Sequence, residues 1–187
     1  EMCIRDRVLS VMKENETAHK TTVRLHTGDP CLYGAIREQM DRLEELGIGY
    51  ETCPGVTACF GAAAALNLEL TVPEVSQSLI ITRVAGRTPV PEKERIESFA
   101  SHHATMAVYL SAGHLKELSK RLMAGGYSED TPAAIVYKAT WPDEKIVRGN
   151  LTNIAARVKE AGITKTALTV VGDFLGSDYE LSKLYDK

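Results

Sequence analysis

The chain has 187 residues, of which 44% are hydrophobic and 25% charged, with a formal net charge of -3. That is the balance of a globular protein, long enough for one large domain or two small ones. The mild acidity excludes the bulk basic footprint of a nucleic-acid binder, and no apolar run is long enough to span a bilayer. Neither nucleic acid nor membrane is therefore expected as a partner. No secretory signal pattern is found. Cys3, Cys31, Cys53 and Cys59 form no CxxC pair and have no histidine at zinc spacing, so reduced thiols in a cytoplasmic protein are expected. The pair His102-His103 has no third ligand nearby, and no metal site is expected.

In chain order, residues 1–7 fit nothing that follows and are set aside from fold reasoning. Val8 to Met12 reads as the end of a helix, followed by polar Lys13 to Lys20. A strand is expected over Thr22–His26, then a loop, Thr27-Gly28-Asp29-Pro30, in which Gly28 suits a turn or a close approach. A helix follows with Ile36, Met40, Leu43 and Leu46 on one face and Gly47 as its C-cap. Ile48–Cys53 reads as a second strand, Pro54-Gly55 as a turn and Ala58–Leu66 as a helix of small residues that Thr57 can cap. Small side chains there serve either close packing on a sheet or the approach of a flat ligand. Strand, Gly-rich loop, helix is the arrangement that places a ligand at the carboxyl edge of a parallel sheet. Two such units are too little sheet for a free-standing domain, so the first part is read as the remainder of a larger domain.

Residues 70–74 read as a linker. Beyond it, Ser78–Thr82 is a strand rich in β-branched residues. A helix is expected over Glu92–Ser101. Ala104–Leu110 follows as an apolar strand of the kind covered on both faces. The next helix carries Leu115, Leu118 and Leu122 and is stopped by Gly125-Gly126. Ala133–Tyr137 and Glu144–Arg148 are expected to pair as a hairpin around Trp141-Pro142-Asp143. A helix with Ile154, Val158 and Ala161 and a strand over Ala167–Gly172 complete a mixed α/β sheet.

The residues Thr27-Gly28-Asp29-Pro30 with Tyr33-Gly34, then Pro54-Gly55-Val56-Thr57, resemble the tetrapyrrole methylase family. Further runs resemble one branch of it, concerned with corrin synthesis: Glu74-Val75-Ser76-Gln77, Thr82-Arg83, Gly86-Arg87-Thr88-Pro89-Val90-Pro91-Glu92, Tyr137 to Arg148, and Ser182 to Lys187. The resemblance runs from about Val8 to the end. It implies an α/β fold of two α/β domains with the cofactor cleft between them. The first domain, 8–74, is incomplete, and the second is 75–187. The family's first strand and its Gly-Pro-Gly-Asp-Pro-like loop find no counterpart, so the sequence is read as N-terminally truncated.

The resemblance further implies S-adenosyl-L-methionine as cofactor, with S-adenosyl-L-homocysteine as product, and a homodimer. Position by position, it places Thr27, Gly28, Asp29 and Leu32, then Thr57 and Ala58, then Leu110 and Ala139 at the cofactor. Leu110 has core packing as its alternative. Asp29 is expected to meet the cofactor's ammonium or hydroxyl groups. Methyl transfer from a sulfonium to a ring carbon is a direct displacement, so no nucleophile is sought and no catalytic residue is assigned. Arginine forks suit the carboxylates of a tetrapyrrole, which points to Arg83 and Arg87, with Lys138 and Arg148 behind them. The alternatives are a related methylase acting on uroporphyrinogen III or RNA, and a non-catalytic remnant that serves only for association.

Overall fold

The structure is a computed structural model that describes residues 4–86 and 88–177. The expectations for Cys3, for Arg87 and for residues 182–187 lie outside the described residues. The chain divides into two compact units, Glu1–Ala58 and Cys59–Lys187. The expected division was 8–74 and 75–187. The stretch 59–74 carries Cys59, Leu66 and Leu70 into the core of the second unit.

The first unit holds two helices, α1 (Ile4–Thr17) and α2 (Arg37–Glu45). Helix α1 continues past Met12 to Thr17, a stretch in which Lys13, Glu14 and Glu16 are good helix formers. Ser10 also donates to the Glu14 carboxylate one turn on. In α2 the expected apolar face is only partly used. Leu43 is buried, Ile36 and Met40 are half-buried, and Leu46 is 41% exposed. Gln39 is buried in place of a hydrophobe, its amide donating to the Ala35 carbonyl. Gly47 closes the helix with φ +67°, the left-handed conformation a helix end commonly requires.

The two strands expected in this unit do not form. Thr22–His26 and Ile48–Cys53 belong to no ladder among the described residues. Val23 and Leu25 are 76% and 87% exposed. β-propensity describes a side chain that suits a pleated, half-buried surface. It does not supply the neighbouring backbone that a strand must bond.

The second unit is built on a five-stranded sheet. Its strands are β1 (Leu79–Arg83), β2 (Thr105–Tyr109), β3 (Pro132–Tyr137), β4 (Lys145–Asn150) and β5 (Ala167–Val171), in the order β1-β2-β5-β3-β4. β1 and β2 are parallel, while β5 runs antiparallel to both β2 and β3, and β3 and β4 form the expected hairpin. The sheet is therefore mixed, and β1, β2 and β3 all end on the same edge.

Alternation along the strands sends successive side chains to opposite faces. Met106, Val108, Ala133 and Ile135 face one core with α4 (Ile96–Ala100), α5 (Leu115–Ala124) and α6 (Ile154–Glu160). Ala107, Ala134, Val136, Leu168 and Val170 face the other, with Cys59, Ala62, Ala63 and Leu66 of α3 (Ala58–Leu66). The small residues of α3 are thus accounted for by close helix–sheet packing.

Two further expectations change. The helix expected over Glu92–Ser101 is a short 3-10 turn, Glu92–Glu94, then an extended Arg95, then α4. No residue of the turn is buried, while Ile96 and Ala100 are, so only the second piece is drawn against the core. Residues 70–76 are an anchored strap. Thr105 Oγ1 donates to the Leu70 carbonyl at 2.8 Å, the Thr105 amide donates to Ser76 Oγ at 2.9 Å, and Val72 and Ser76 form an antiparallel bridge. Among the described residues no helix is long and apolar enough to cross a membrane.

Candidate functional site

In the first unit the two loops that carry predicted site residues are brought together by one carboxylate. Asp29 Oδ1 accepts the Cys31 amide at 2.7 Å, and Oδ2 accepts the Gly55 amide at 3.0 Å. The Gly55 and Cys31 amides, in that order, hold the Asp29 carboxyl below its ordinary titration range, because they stabilise the charged form. Both oxygens are already engaged with backbone. Asp29 therefore shapes the loops.

Glycine is required here for two different reasons. Gly28 has φ +69°, yet a Cβ on it would sit at an ordinary 3.7 Å from Thr57 Cα and the Val56 carbonyl. Its requirement is the left-handed turn. The close approach belongs to Gly55, where a Cβ would overlap the Gly28 carbonyl, and to Gly34, where it would overlap the Pro30 carbonyl. In the sequence Gly55 was visible only as part of a turn signal. Thr27 and Gly28 are exposed, and Asp29 and Leu32 half-buried. Thr57 and Ala58, half-buried and exposed, follow directly after the second loop. No lysine or arginine occurs in 27–34 or 54–58.

In the second unit the predicted site residues Leu110 and Ala139 lie at the edge where β1, β2 and β3 end. Leu110 follows β2 with φ +54° and is 68% exposed. Its alternative role as core packing is thereby removed. Ala139 follows β3, half-buried, between Lys138 at φ +47° and Thr140 at φ +73°. Non-glycine residues in this region cost conformational energy and persist only where neighbours hold them. A Cβ on Gly61 would reach Ala139 Cβ at 3.6 Å, so α3 passes directly beneath this loop. Tyr109, the last residue of β2, accepts the Cys59 amide on its phenolic oxygen at 2.9 Å. It satisfies one of the free donors in the first turn of α3. Nothing in the sequence singled it out, because an aromatic ending an apolar strand reads as core.

The basic candidates are less available than their charge suggested. Arg83 ends β1 on the same edge, but its guanidinium donates to the carbonyls of Thr88 at 3.1 Å and Pro89 at 2.7 Å. Lys138 is paired with Asp143 at 2.5 Å. Arg148 donates to the Leu66 carbonyl at 3.3 Å, at the C-terminus of α3, where a cation is favoured.

Comparison with known proteins places the chain in a family. The family model of the tetrapyrrole (corrin/porphyrin) methylases matches residues 5–155. The chain is 52% identical over 183 residues to the cobalt-precorrin-4 C(11)-methyltransferase of Methanocaldococcus jannaschii, covering 97% of this chain and 71% of that protein. It is 42% identical to the precorrin-4 C(11)-methyltransferase of Pseudomonas aeruginosa, covering 96% and 72%. Its fold superposes on the X-ray structure of a cobalamin biosynthetic enzyme, cobalt precorrin-4 methyltransferase. The TM-score is 0.90 at 44% identity, over 94% of this chain and 73% of that one. A glycine-turned loop tied by Asp29 to a Pro-Gly turn, carried on a chain this similar, identifies it as a member of the tetrapyrrole (corrin/porphyrin) methylases.

Proposed function

We propose that this chain methylates a ring carbon of a tetrapyrrole, C11 of precorrin-4 or cobalt-precorrin-4, as a step in cobalamin biosynthesis. S-adenosyl-L-methionine is the methyl source and S-adenosyl-L-homocysteine the product. The observation that carries the reading is the Asp29 clasp, which draws the Thr27–Pro30 loop and the Pro54–Thr57 loop together. The names of the relatives supply the substrate.

The residues present suit a sulfonium cofactor. The loops carry the Asp29 carboxylate and backbone carbonyls and no basic side chain, and Gly55 lets the two loops approach closely. Thr27, Gly28, Asp29, Leu32, Thr57 and Ala58 are the contacts proposed in the first unit, and Leu110 and Ala139 those in the second. The division of the chain at residue 74 into the family's two domains belongs to the same proposal.

When bound, the cofactor supplies an electrophilic methyl group on a cationic sulfur. The chain's part is to hold and orient. Alignment of two reactants is worth several kcal/mol, up to about 7–11 in the best cases, so no covalent partner is needed from the protein. Asp29 fixes the loop geometry without meeting the methyl. The substrate's carboxylates fall to Arg83 and Arg87 in this reading, and Arg83 gives up carbonyl bonds to reach one. A homodimer in the cytoplasm is proposed on the family resemblance.

The test is incubation of the purified chain with labelled cofactor and, separately, precorrin-4, cobalt-precorrin-4 and uroporphyrinogen III. Label at C11 of either precorrin-4 form is the expected result. Label in uroporphyrinogen III alone would move the chain to another branch of the family. Transfer to none of the three, with no heat of S-adenosylhomocysteine binding, would leave only an association role.

A further inference from the structure

We infer that Lys138 is a positioning residue: its ammonium, set against two aromatic rings and paired with Asp143, holds the strained turn that presents Ala139 to the cofactor. The inference rests on the reading of Ala139 as a cofactor contact.

The turn between β3 and β4 begins where Tyr137 pairs with Lys145 across the hairpin. Left-handed positions in turns usually carry glycine, asparagine or aspartate. Here those positions are filled by Lys138 at φ +47° and Thr140 at φ +73°. Neither residue prefers that region, so something outside the local backbone must hold it.

The neighbours that hold it are all in place. Lys138 Nζ lies 5.1 Å from the centroid of the Tyr137 ring and 5.1 Å from that of Trp141. It also lies 2.5 Å from Asp143 Oδ2. The Asp143 carboxylate, first among the causes, holds the ammonium above its ordinary titration range, and Asp143 is lowered in return. Glu144 Oε2 accepts the Thr140 amide at 2.7 Å, and the Trp141 amide donates to the Lys138 carbonyl at 3.0 Å. The Lys138 amide donates to the Thr166 carbonyl at 3.0 Å, which fixes the start of the turn to the strand beside it. The ammonium and the carbonyl of Lys138 thus point back into the turn, while its amide ties the turn to the neighbouring segment. Its side chain is 23% exposed, which suits a clamp better than a residue reaching for a substrate carboxylate. Ala139 sits between the two strained residues, and its methyl takes no part in these bonds.

Trp141 is the only tryptophan in the chain. It is 53% exposed and forms one wall of the clamp, so its emission reports on the turn directly. Lys138→Met keeps the length of the side chain and removes the charge. Lys138→Arg keeps the charge and the stacking surface.

The experiment titrates wild type and both variants with S-adenosylhomocysteine, followed by calorimetry and by Trp141 emission, with thermal melts in parallel. Wild type is expected to bind and to change its emission on binding. Lys138→Met is expected to bind about tenfold more weakly. Its free emission should already be shifted and its melting temperature nearly unchanged, while Lys138→Arg should recover most of the affinity. Wild-type affinity in Lys138→Met would overturn this inference and leave the cofactor reading standing. A loss matched in Lys138→Arg would overturn the charge-clamp role in the same way. Failure of wild type itself to bind would overturn the cofactor reading and the inference with it.

Discussion

The two units hold their shape by different means. In Cys59–Lys187 a five-stranded ladder is covered on both faces by two apolar clusters. In the first unit, among the described residues, Leu43 is the only apolar side chain that is buried. Its loops are joined instead by a carboxylate that accepts two backbone amides. Apolar burial is non-directional and tolerates error in position. A charge-assisted pair of hydrogen bonds is short and directional. The contrast explains why one unit reads as a scaffold and the other as a shaped loop pair.

The sharpest way to break the comparison is to damage the scaffold. Ile135 is fully buried in the centre of β3. Ile135→Ala is expected to destabilise the protein by about 2–5 kcal/mol, from lost burial and the cavity left behind. Urea unfolding followed by circular dichroism measures it. A change well under that range would mean that the sheet is not the main cooperative unit.

The second test addresses the loops alone. Asp29→Asn keeps the size of the side chain but replaces one acceptor oxygen with a donor, so the amides of Cys31 and Gly55 can no longer both be satisfied. S-adenosylhomocysteine affinity is expected to fall severalfold while the unfolding midpoint of the sheet stays in place. Loss of both together would show that the clasp also supports the fold.

The smallest expected effect is electrostatic and lies within the scaffold. Arg121 grips Glu97 in a bidentate pair at 2.7 and 2.8 Å, joining α4 to α5. That pairing, ahead of the opposing cost of burial, lowers the Glu97 carboxyl from 4.5 to about 2. A carboxyl depressed in the folded state stabilises fully above its unfolded value and loses that contribution as the pH falls through the folded one. The window is therefore pH 4.5 down to about 2. The pair is about a quarter exposed, so after screening the contribution is about 1 kcal/mol. Glu97→Gln should flatten the acid limb of the stability profile in that window and leave the loops' ligand affinity untouched. An unchanged acid limb would show that the pair adds nothing.

Sequence patterning was a good guide wherever one residue type answered to one environment. The apolar run around Met106 and Val108 became a strand covered on both faces, and Leu115, Leu118 and Leu122 became the buried stripe of α5. It misled where the outcome depends on a second segment. Val23 and Leu25 have the composition of a strand, but a strand exists only against a bonded neighbour. For Arg148 the sequence showed the charge and not the bond to the Leu66 carbonyl, a group that lies near it only in the folded chain.

The sequence by itself determined the α/β character, most element positions in the second unit and the family to which the loops belong, because local spacing and turn chemistry carry that information. Only tertiary structure decided that Asp29 clasps two loops twenty-six residues apart in sequence, that Gly55 rather than Gly28 is sterically crowded, and that Tyr109 anchors the first turn of α3. Each of these depends on which distant backbone groups approach one another, and no spacing along the chain encodes that approach.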